Sequence, residues 1–215
     1  MQQDLSNYRK SYDKQQLLES NCPKHPMKLF EQWFLSADNS DTIEEANAVT
    51  LSTIGEDQFP KNRIVLLKKF SKDGFIFYTN YNSEKGKSIQ KNNHICLSFF
   101  WPALEQQIII KGIAEKLTKD VSDNYFESRP EGSKLGAWAS NQSSVVKSRD
   151  ELEDSLKSYQ KEFQGKNIPR PPHWGGFIAK PISIEFWQGR PNRMHDRILY
   201  TLLEDFTWKI ERLAP

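Results

Sequence analysis

Within the stretch WQGRPNRMHDR, residues 187 to 197, the side chains of Arg193, His195 and Arg197 recur two apart. In an extended chain such residues project to one side of the backbone. Three cationic or titratable groups on one face repel each other unless an anionic or electron-rich ligand lies there. Histidine titrates near neutral pH and suits proton transfer, but the comb alone is too short to name a reaction. A second candidate is RIVLLK, residues 63 to 68, where Arg63 and Lys68 bracket four aliphatic residues. The bland reading is an edge strand with snorkelling charges; the sharper one is an anion site at the strand ends. Ideal alternation puts Arg63 and Lys68 on opposite faces. If both bind ligands, either the strand bulges or they serve different ligand groups.

Two further groups suit phosphate. Tyr78-Thr79 ends one strand, and Lys85 lies in the first turn of the helix that follows, beside backbone N–H groups that can cradle an anion. Tyr125 and Arg129 are four apart on one helix face, with Ser133 just beyond. A Tyr/Arg/Ser set of this kind can hold a second phosphate. Each group taken singly is equally an ordinary solvated surface.

The elements that must position these groups follow from period and punctuation. PMKLFEQWFLSA has Leu29, Phe30, Trp33 and Phe34 at helical spacing. From Ala46 the period changes: NAVTLSTIG, NRIVLLKKF and GFIFYTN are short β-branched and aromatic runs, and Asp73-Gly74 marks a hairpin. SEKGKSIQKNN predicts a short helix capped by Ser83. HICLSFFW and QQIIIKGIAEKL are two more strands, and TKDVSDNYFESR a helix capped by Thr118 and ended before Pro130. SRDELEDSLKSYQKEFQ is another helix. GGFIAKPISIEFWQG and RILYTLLEDFTWKIERL return to strands, the latter a hairpin around Glu204-Asp205. The expectation is six or seven strands and three or four helices, a mainly antiparallel β protein of the α+β type. Closure into a barrel removes the exposed edges, with an open α+β sandwich as the alternative. No GxGxxG or GxxxxGK[ST] occurs, which disfavours a doubly wound nucleotide fold.

Composition narrows the class. The 215 residues carry 30 Lys plus Arg against 28 Asp plus Glu, a formal charge of +2, which argues against a general nucleic-acid binder. Cys22 and Cys96 show no CxxC spacing, so neither a disulfide framework nor a metal site is expected. The polar N-terminus has no secretory apolar segment, and no run approaches the ~20 apolar residues of a membrane span. A soluble, cytoplasmic protein is expected, with residues 1–20 mobile and 21–215 a single domain.

The ordered series RIVLLK, FYTN, SEKGKSI, FFWPALEQQIIIKG, YFESRPEGSKLGAWAS, NQSS, PPHWGGF, IEFWQG, RMHDR and WKIERLAP resembles the pyridoxamine 5′-phosphate oxidase family from about Tyr8 to Pro215. The resemblance implies a split β-barrel flavoprotein, a homodimer with FMN at the subunit interface. It implies FMN contacts at Arg63, Ile64, Val65, Leu66, Leu67, Lys68, Tyr78, Thr79, Lys85, Gln107, Gln142, Ser143, Trp187 and Arg197. Implied substrate contacts are Lys68, Tyr125, Arg129, Ser133, Arg193, Met194 and His195, with Arg9 and Tyr12 matching an N-terminal element that closes over the site. Arg193 and His195 are the implied catalytic pair. One departure stands out: many family members have an Arg-Lys pair where this chain has Glu84-Lys85. A carboxylate there repels the FMN phosphate unless it points to solvent and complements the helix N-terminus.

The implied reaction oxidises pyridoxamine 5′-phosphate or pyridoxine 5′-phosphate to pyridoxal 5′-phosphate, with molecular oxygen reduced to hydrogen peroxide. The rival readings are another split-barrel flavin oxidoreductase and a non-catalytic module that binds FMN or pyridoxal phosphate.

Overall fold

The computed structural model describes residues 3–215. The first two residues of the segment expected to be mobile lie outside the described residues. The elements are α1 (Pro26–Asp38), β1 (Ala48–Ile54), β2 (Pro60–Leu66), β3 (Lys69–Ser71), β4 (Gly74–Asn80), α2 (Glu84–Lys91), β5 (His94–Trp101), β6 (Gln106–Lys116), α3 (Lys119–Glu127), α4 (Glu131–Ala139), α5 (Arg149–Glu162), β7 (Trp174–Gln188), β8 (Asp196–Leu202) and β9 (Trp208–Leu213). The nine strands form one sheet in the order β2-β1-β5-β6-β7-β4-β3, with β8 pairing β7 and β9. The resolved registers of β3/β4, β4/β7, β7/β8 and β8/β9 are all antiparallel.

The chain divides into two compact units, one made of the residues through Val49 with Leu97–Lys111 and Pro181–Pro215, the other of Thr50–Cys96 and Gly112–Lys180. The first unit is built on aromatic packing. The α1 residues Leu29, Phe30, Trp33 and Ala37 fall on one helical face and are buried. Phe30 meets Phe99 edge-on at 5.4 Å, Trp33 meets Phe186 at 5.3 Å, and Phe186 meets Tyr200 at 5.7 Å. The polar tips of these rings are satisfied: Tyr200 donates to Pro23 O at 2.9 Å and Trp101 Nε1 to Ala46 O at 3.2 Å. Pro26 at the first turn and the His25 ring, which accepts from Met27 N, start α1.

In the second unit β4 runs along the first half of β7, pairing Phe77 with Phe177, Tyr78 with Gly176 and Asn80 with Trp174. Phe126, Leu135, Ile168 and Trp174 form its helical core. Ser83 caps α2 by accepting from Gly86 N, and Thr118 caps α3 by accepting from Val121 N, both as expected.

Two expectations are corrected. The run from 62 to 70 is two strands, because Lys68 leaves the β2 line and its N–H donates to Ile76 O at 2.8 Å. This break answers the Arg63/Lys68 alternation problem, since the two residues are not on one continuous strand. Glu131–Ala139 is a helix that period and caps did not show: it has no side-chain cap, and Gly132 and Gly136 mask its helical character. With these, the described residues hold nine strands and five α-helices.

Phe186 is fully buried between Trp33 and Tyr200. Phe186→Ala is expected to lower unfolding free energy by about 3–5 kcal/mol, measured by urea titration.

Candidate active site

The second unit contains a cleft of about 440 Å³ lined by Ile64, Val65, Leu66, Lys68, Tyr78, Thr79, Lys85, Tyr125, Arg129, Ser133 and Gln142, together with Pro130 and Trp174. Two of the sequence candidates for phosphate therefore share one concavity. Its wall is an aromatic stack. Tyr78 and Tyr125 lie 3.8 Å apart and nearly parallel, with Tyr78 and Trp174 at 5.4 Å. Gly176 makes this possible: a Cβ there would sit 2.8 Å from the Tyr78 ring.

Arg129 crosses the end of the stack, its guanidinium carbon 4.5 Å from the Trp174 ring centroid. Its Nη1 is buried and has no hydrogen-bond partner among the described residues. A buried donor without an acceptor is costly, and a ligand oxygen removes that cost. Lys85 Nζ donates to Gln142 Oε1 at 2.9 Å, and Thr79 Oγ1 donates to the same oxygen at 3.3 Å. Burial, and then the Arg63 charge, hold the Lys85 ammonium below the usual lysine range, while Glu84 opposes them. Among the described residues no carboxylate lies within ion-pair distance of Lys68, Lys85 or Arg129. Three uncompensated cations in one cleft with an orphaned guanidinium donor define an anion site.

Arg63, Leu67 and Ser143 do not line this cleft. Arg63 Nη1 turns to β1, donating to Thr53 Oγ1 at 2.8 Å and Leu51 O at 3.2 Å, and to Lys61 O. Leu67 is buried and Ser143 is exposed, with φ of 72°. Glu84 is exposed at the start of α2 and is ion-paired with Lys61, which also reaches Asp57 at 3.2 Å. Its carboxylate is thus neutralised by a lysine that sequence reasoning did not single out.

The other candidates lie in the first unit. Tyr12, Trp187 and His195 pack together, with centroids 5.8 Å, 5.9 Å and 4.7 Å apart. The Arg193/His195/Arg197 comb is corrected. Pro191–Arg193 is a single 3₁₀ turn, with φ of 56° at Asn192 and 61° at Arg193, and β8 begins only at Asp196. Arg193 is therefore not on an extended chain with the other two. Arg197 pairs with Glu185 at 2.7 Å and donates to Ala214 O, so the anion beside it is a protein carboxylate. That hydrogen bond holds the Arg197 guanidinium above its usual range. Met194 is exposed, Gln107 on β6 donates to Ser98 Oγ at 3.3 Å, and the exposed Arg9 donates to Ser6 O through its Nε.

His195 Nδ1 accepts from Arg190 N at 3.1 Å, which assigns the proton of the neutral ring to Nε2. Burial, and then the Arg193 charge, hold the ring below its usual range. In this tautomer Nε2 is the ring's donor.

Trp174, which lines the cleft, and the buried Glu105 were not singled out from the sequence. Neither sits in a periodic or charged pattern that would have singled it out.

A mainly antiparallel β protein of the split-barrel type, with a cationic cleft that can take an anionic ligand, is the class that fold and site define. Residues 36–161 match the family model described as pyridoxamine 5′-phosphate oxidase, and residues 174–215 match the pyridoxine 5′-phosphate oxidase C-terminal dimerisation region. The chain belongs to the pyridoxamine 5′-phosphate oxidase family. It is 61% identical over 211 residues to a pyridoxine/pyridoxamine 5′-phosphate oxidase of Flavobacterium johnsoniae, covering 98% of this chain and 99% of that one. The corresponding protein of Christiangramia forsetii is 56% identical over the whole of both chains. Among solved structures, PhzG from Burkholderia lata, in complex with tetrahydrophenazine-1-carboxylic acid, superposes with a TM-score of 0.86 at 27% identity, covering 96% of this chain and 100% of that one. A pyridoxamine 5′-phosphate oxidase-related, FMN binding protein from Nostoc punctiforme shares the fold at a TM-score of 0.70 and 16% identity, with 90% and 100% covered.

The lowered His195 pKa has a sign. The folded chain binds a proton at His195 less readily than the unfolded chain, so stability falls as pH drops from about 6.5 toward the folded value. NMR titration is expected to place His195 below the usual histidine value, and Arg193→Ala to raise it part of the way back.

Proposed function

We propose that the protein oxidises pyridoxamine 5′-phosphate and pyridoxine 5′-phosphate to pyridoxal 5′-phosphate, using FMN and molecular oxygen and releasing hydrogen peroxide. The observation that carries this is the cleft in which Lys68, Lys85 and Arg129 lack carboxylate partners and Arg129 Nη1 has no acceptor. The donors present fit two phosphates. Lys85, Thr79 and Gln142 would hold that of FMN, and Lys68, Tyr125, Arg129 and Ser133 that of the vitamer. Identity above 55% to named pyridoxine/pyridoxamine 5′-phosphate oxidases over essentially the whole chain supports this substrate class over a phenazine precursor. Bound FMN supplies the two-electron oxidation, with oxygen as final acceptor.

The protein's part is position and charge. Arg129, clamped on Trp174, would fix one end of the substrate by a charge-assisted hydrogen bond from its unpaired Nη1. Fixing the phosphate limits the reacting carbon to few orientations, which lowers the barrier by up to roughly 7–11 kcal/mol in ideal cases. Arg193 and His195 act on the pyridine ring. His195 donates through Nε2 in the tautomer described, and takes up a proton at Nδ1 only by giving up the Arg190 N–H. FMN is held at the interface of a homodimer, and the match of residues 174–215 to a dimerisation region supports that assembly. Residues 21–215 act as a single oxidase domain. A cytoplasmic location is part of this reading: neither cysteine forms a disulfide, and no helix among the described residues is long and apolar enough to cross a membrane.

The test is direct. Purified protein loaded with FMN is expected to bleach on anaerobic addition of pyridoxamine 5′-phosphate and to form peroxide in air. Arg129→Ala should lower kcat/KM by about 100-fold or more, as removing a buried charged contact costs roughly 2–5 kcal/mol. No turnover of either vitamer phosphate by the flavin-loaded enzyme would refute the assignment.

Glu84 yields a separate outcome. Its pairing with Lys61 offsets that lysine's charge beside the start of α2. Glu84→Arg is expected to tighten FMN binding, by about 3- to 10-fold for one added exposed charge, measured by flavin fluorescence quenching. An unchanged dissociation constant would show that residue 84 does not sense the phosphate.

A further inference from the structure

Glu105 is the least explained charged residue of the first unit. It is 1% exposed, its backbone φ is +57°, and it follows no motif of the proposed chemistry. Its Oε2 accepts two main-chain N–H groups of the N-terminal segment, Asp13 at 2.9 Å and Lys14 at 3.1 Å. Its Oε1 is buried with no hydrogen-bond partner, and the nearest cation is the exposed Lys10 ammonium at 3.8 Å. Its own carbonyl accepts from Gly189 N at 2.8 Å and Gln188 Nε2 at 3.2 Å. A buried carboxylate so sparsely compensated is retained only where its geometry is needed.

What that geometry fixes is Tyr12. The residue precedes the two gripped amides, and its ring lies against Trp187 and His195. From the opposite side, Gly189 leaves the room it needs: a Cβ there would stand 2.8 Å from Tyr12 Cβ and Cγ. Further along, Asp196 Oδ2 accepts from Leu17 N at 3.0 Å, and Arg190 donates to Gln15 O at 3.0 Å. The 10–17 segment is thus pinned at several points, and Glu105 holds the one nearest the ring.

We propose that Glu105 is a positioning residue, which grips the chain at Asp13 and Lys14 so that Tyr12 covers the Trp187–His195 pair, and thereby sets substrate affinity more than turnover. The proposal rests on the reading of Tyr12 and His195 as substrate contacts.

The test uses full-length, FMN-loaded protein carrying Glu105→Ala, Glu105→Gln or Gly189→Ala. Trypsin cleavage after Arg9, Lys10 and Lys14, followed by mass spectrometry, reads the grip without reference to catalysis. Glu105→Ala and Gly189→Ala should be cut roughly tenfold faster than wild type, because local opening exposes the segment. Glu105→Gln keeps an oxygen that can accept both amides and should stay within about threefold. In steady-state assays Glu105→Ala and Gly189→Ala should raise KM for pyridoxamine 5′-phosphate by about 5- to 20-fold, with kcat within about threefold. Wild-type cleavage rates in both variants would overturn the grip. Faster cleavage with wild-type KM would overturn the positioning role. Tyr12→Ala with wild-type KM and kcat would instead show that the placement of Tyr12 at the substrate has failed, and with it the positioning role, while the tryptic result still reports the grip.

Discussion

The cleft depends on cations that are kept without a carboxylate at ion-pair distance. Lys68, Lys85 and Arg129 line one concavity, and no carboxylate among the described residues reaches any of them. Like charges held together in a half-buried place oppose folding, so the surroundings must hold them in other ways. Arg129 rests on the Trp174 face, Lys85 leans on the neutral oxygen of Gln142, and Tyr78 and Tyr125 close the gap between. The glycine opposite Tyr78 and the cap at Ser83 serve that arrangement: one admits the ring, the other starts the helix that carries Lys85.

The same physics appears inverted around residues 185 to 212. There most of the arginines are paired, Arg193 being the exception among the described residues. Arg197 has Glu185, and Arg212 has Glu19 and Asp196. The contrast separates two groups of basic residues that composition alone counts together.

Much of the local structure was legible in the sequence because its causes are local. Ser83 and Thr118 cap the helices they were expected to cap, and Asp73-Gly74 turns β3 into β4 with Gly74 at φ of 140°. Non-local causes stayed hidden. The break at Lys68 is set by a hydrogen bond to Ile76, so a continuous aliphatic run concealed it. The left-handed backbone at Asn192 and Arg193 undid the even spacing of the comb, and neither residue is a glycine that would have announced it. The family resemblance named the site residues, but which of them meet in one cleft, and that Trp174 underlies Arg129, needed coordinates.

The attachment of the N-terminal segment has a consequence for how this chain tolerates change. Glu105 recognises main-chain amides, and every amino acid except proline presents the same N–H. The identity of residue 13 is therefore nearly invisible to the grip, whereas Lys14 also donates through its side chain to Ala103 O, and Tyr12, Glu105 and Gly189 are constrained by shape. Sequence drift should concentrate in the side chains that the carboxylate does not read, leaving a variable segment with a fixed path.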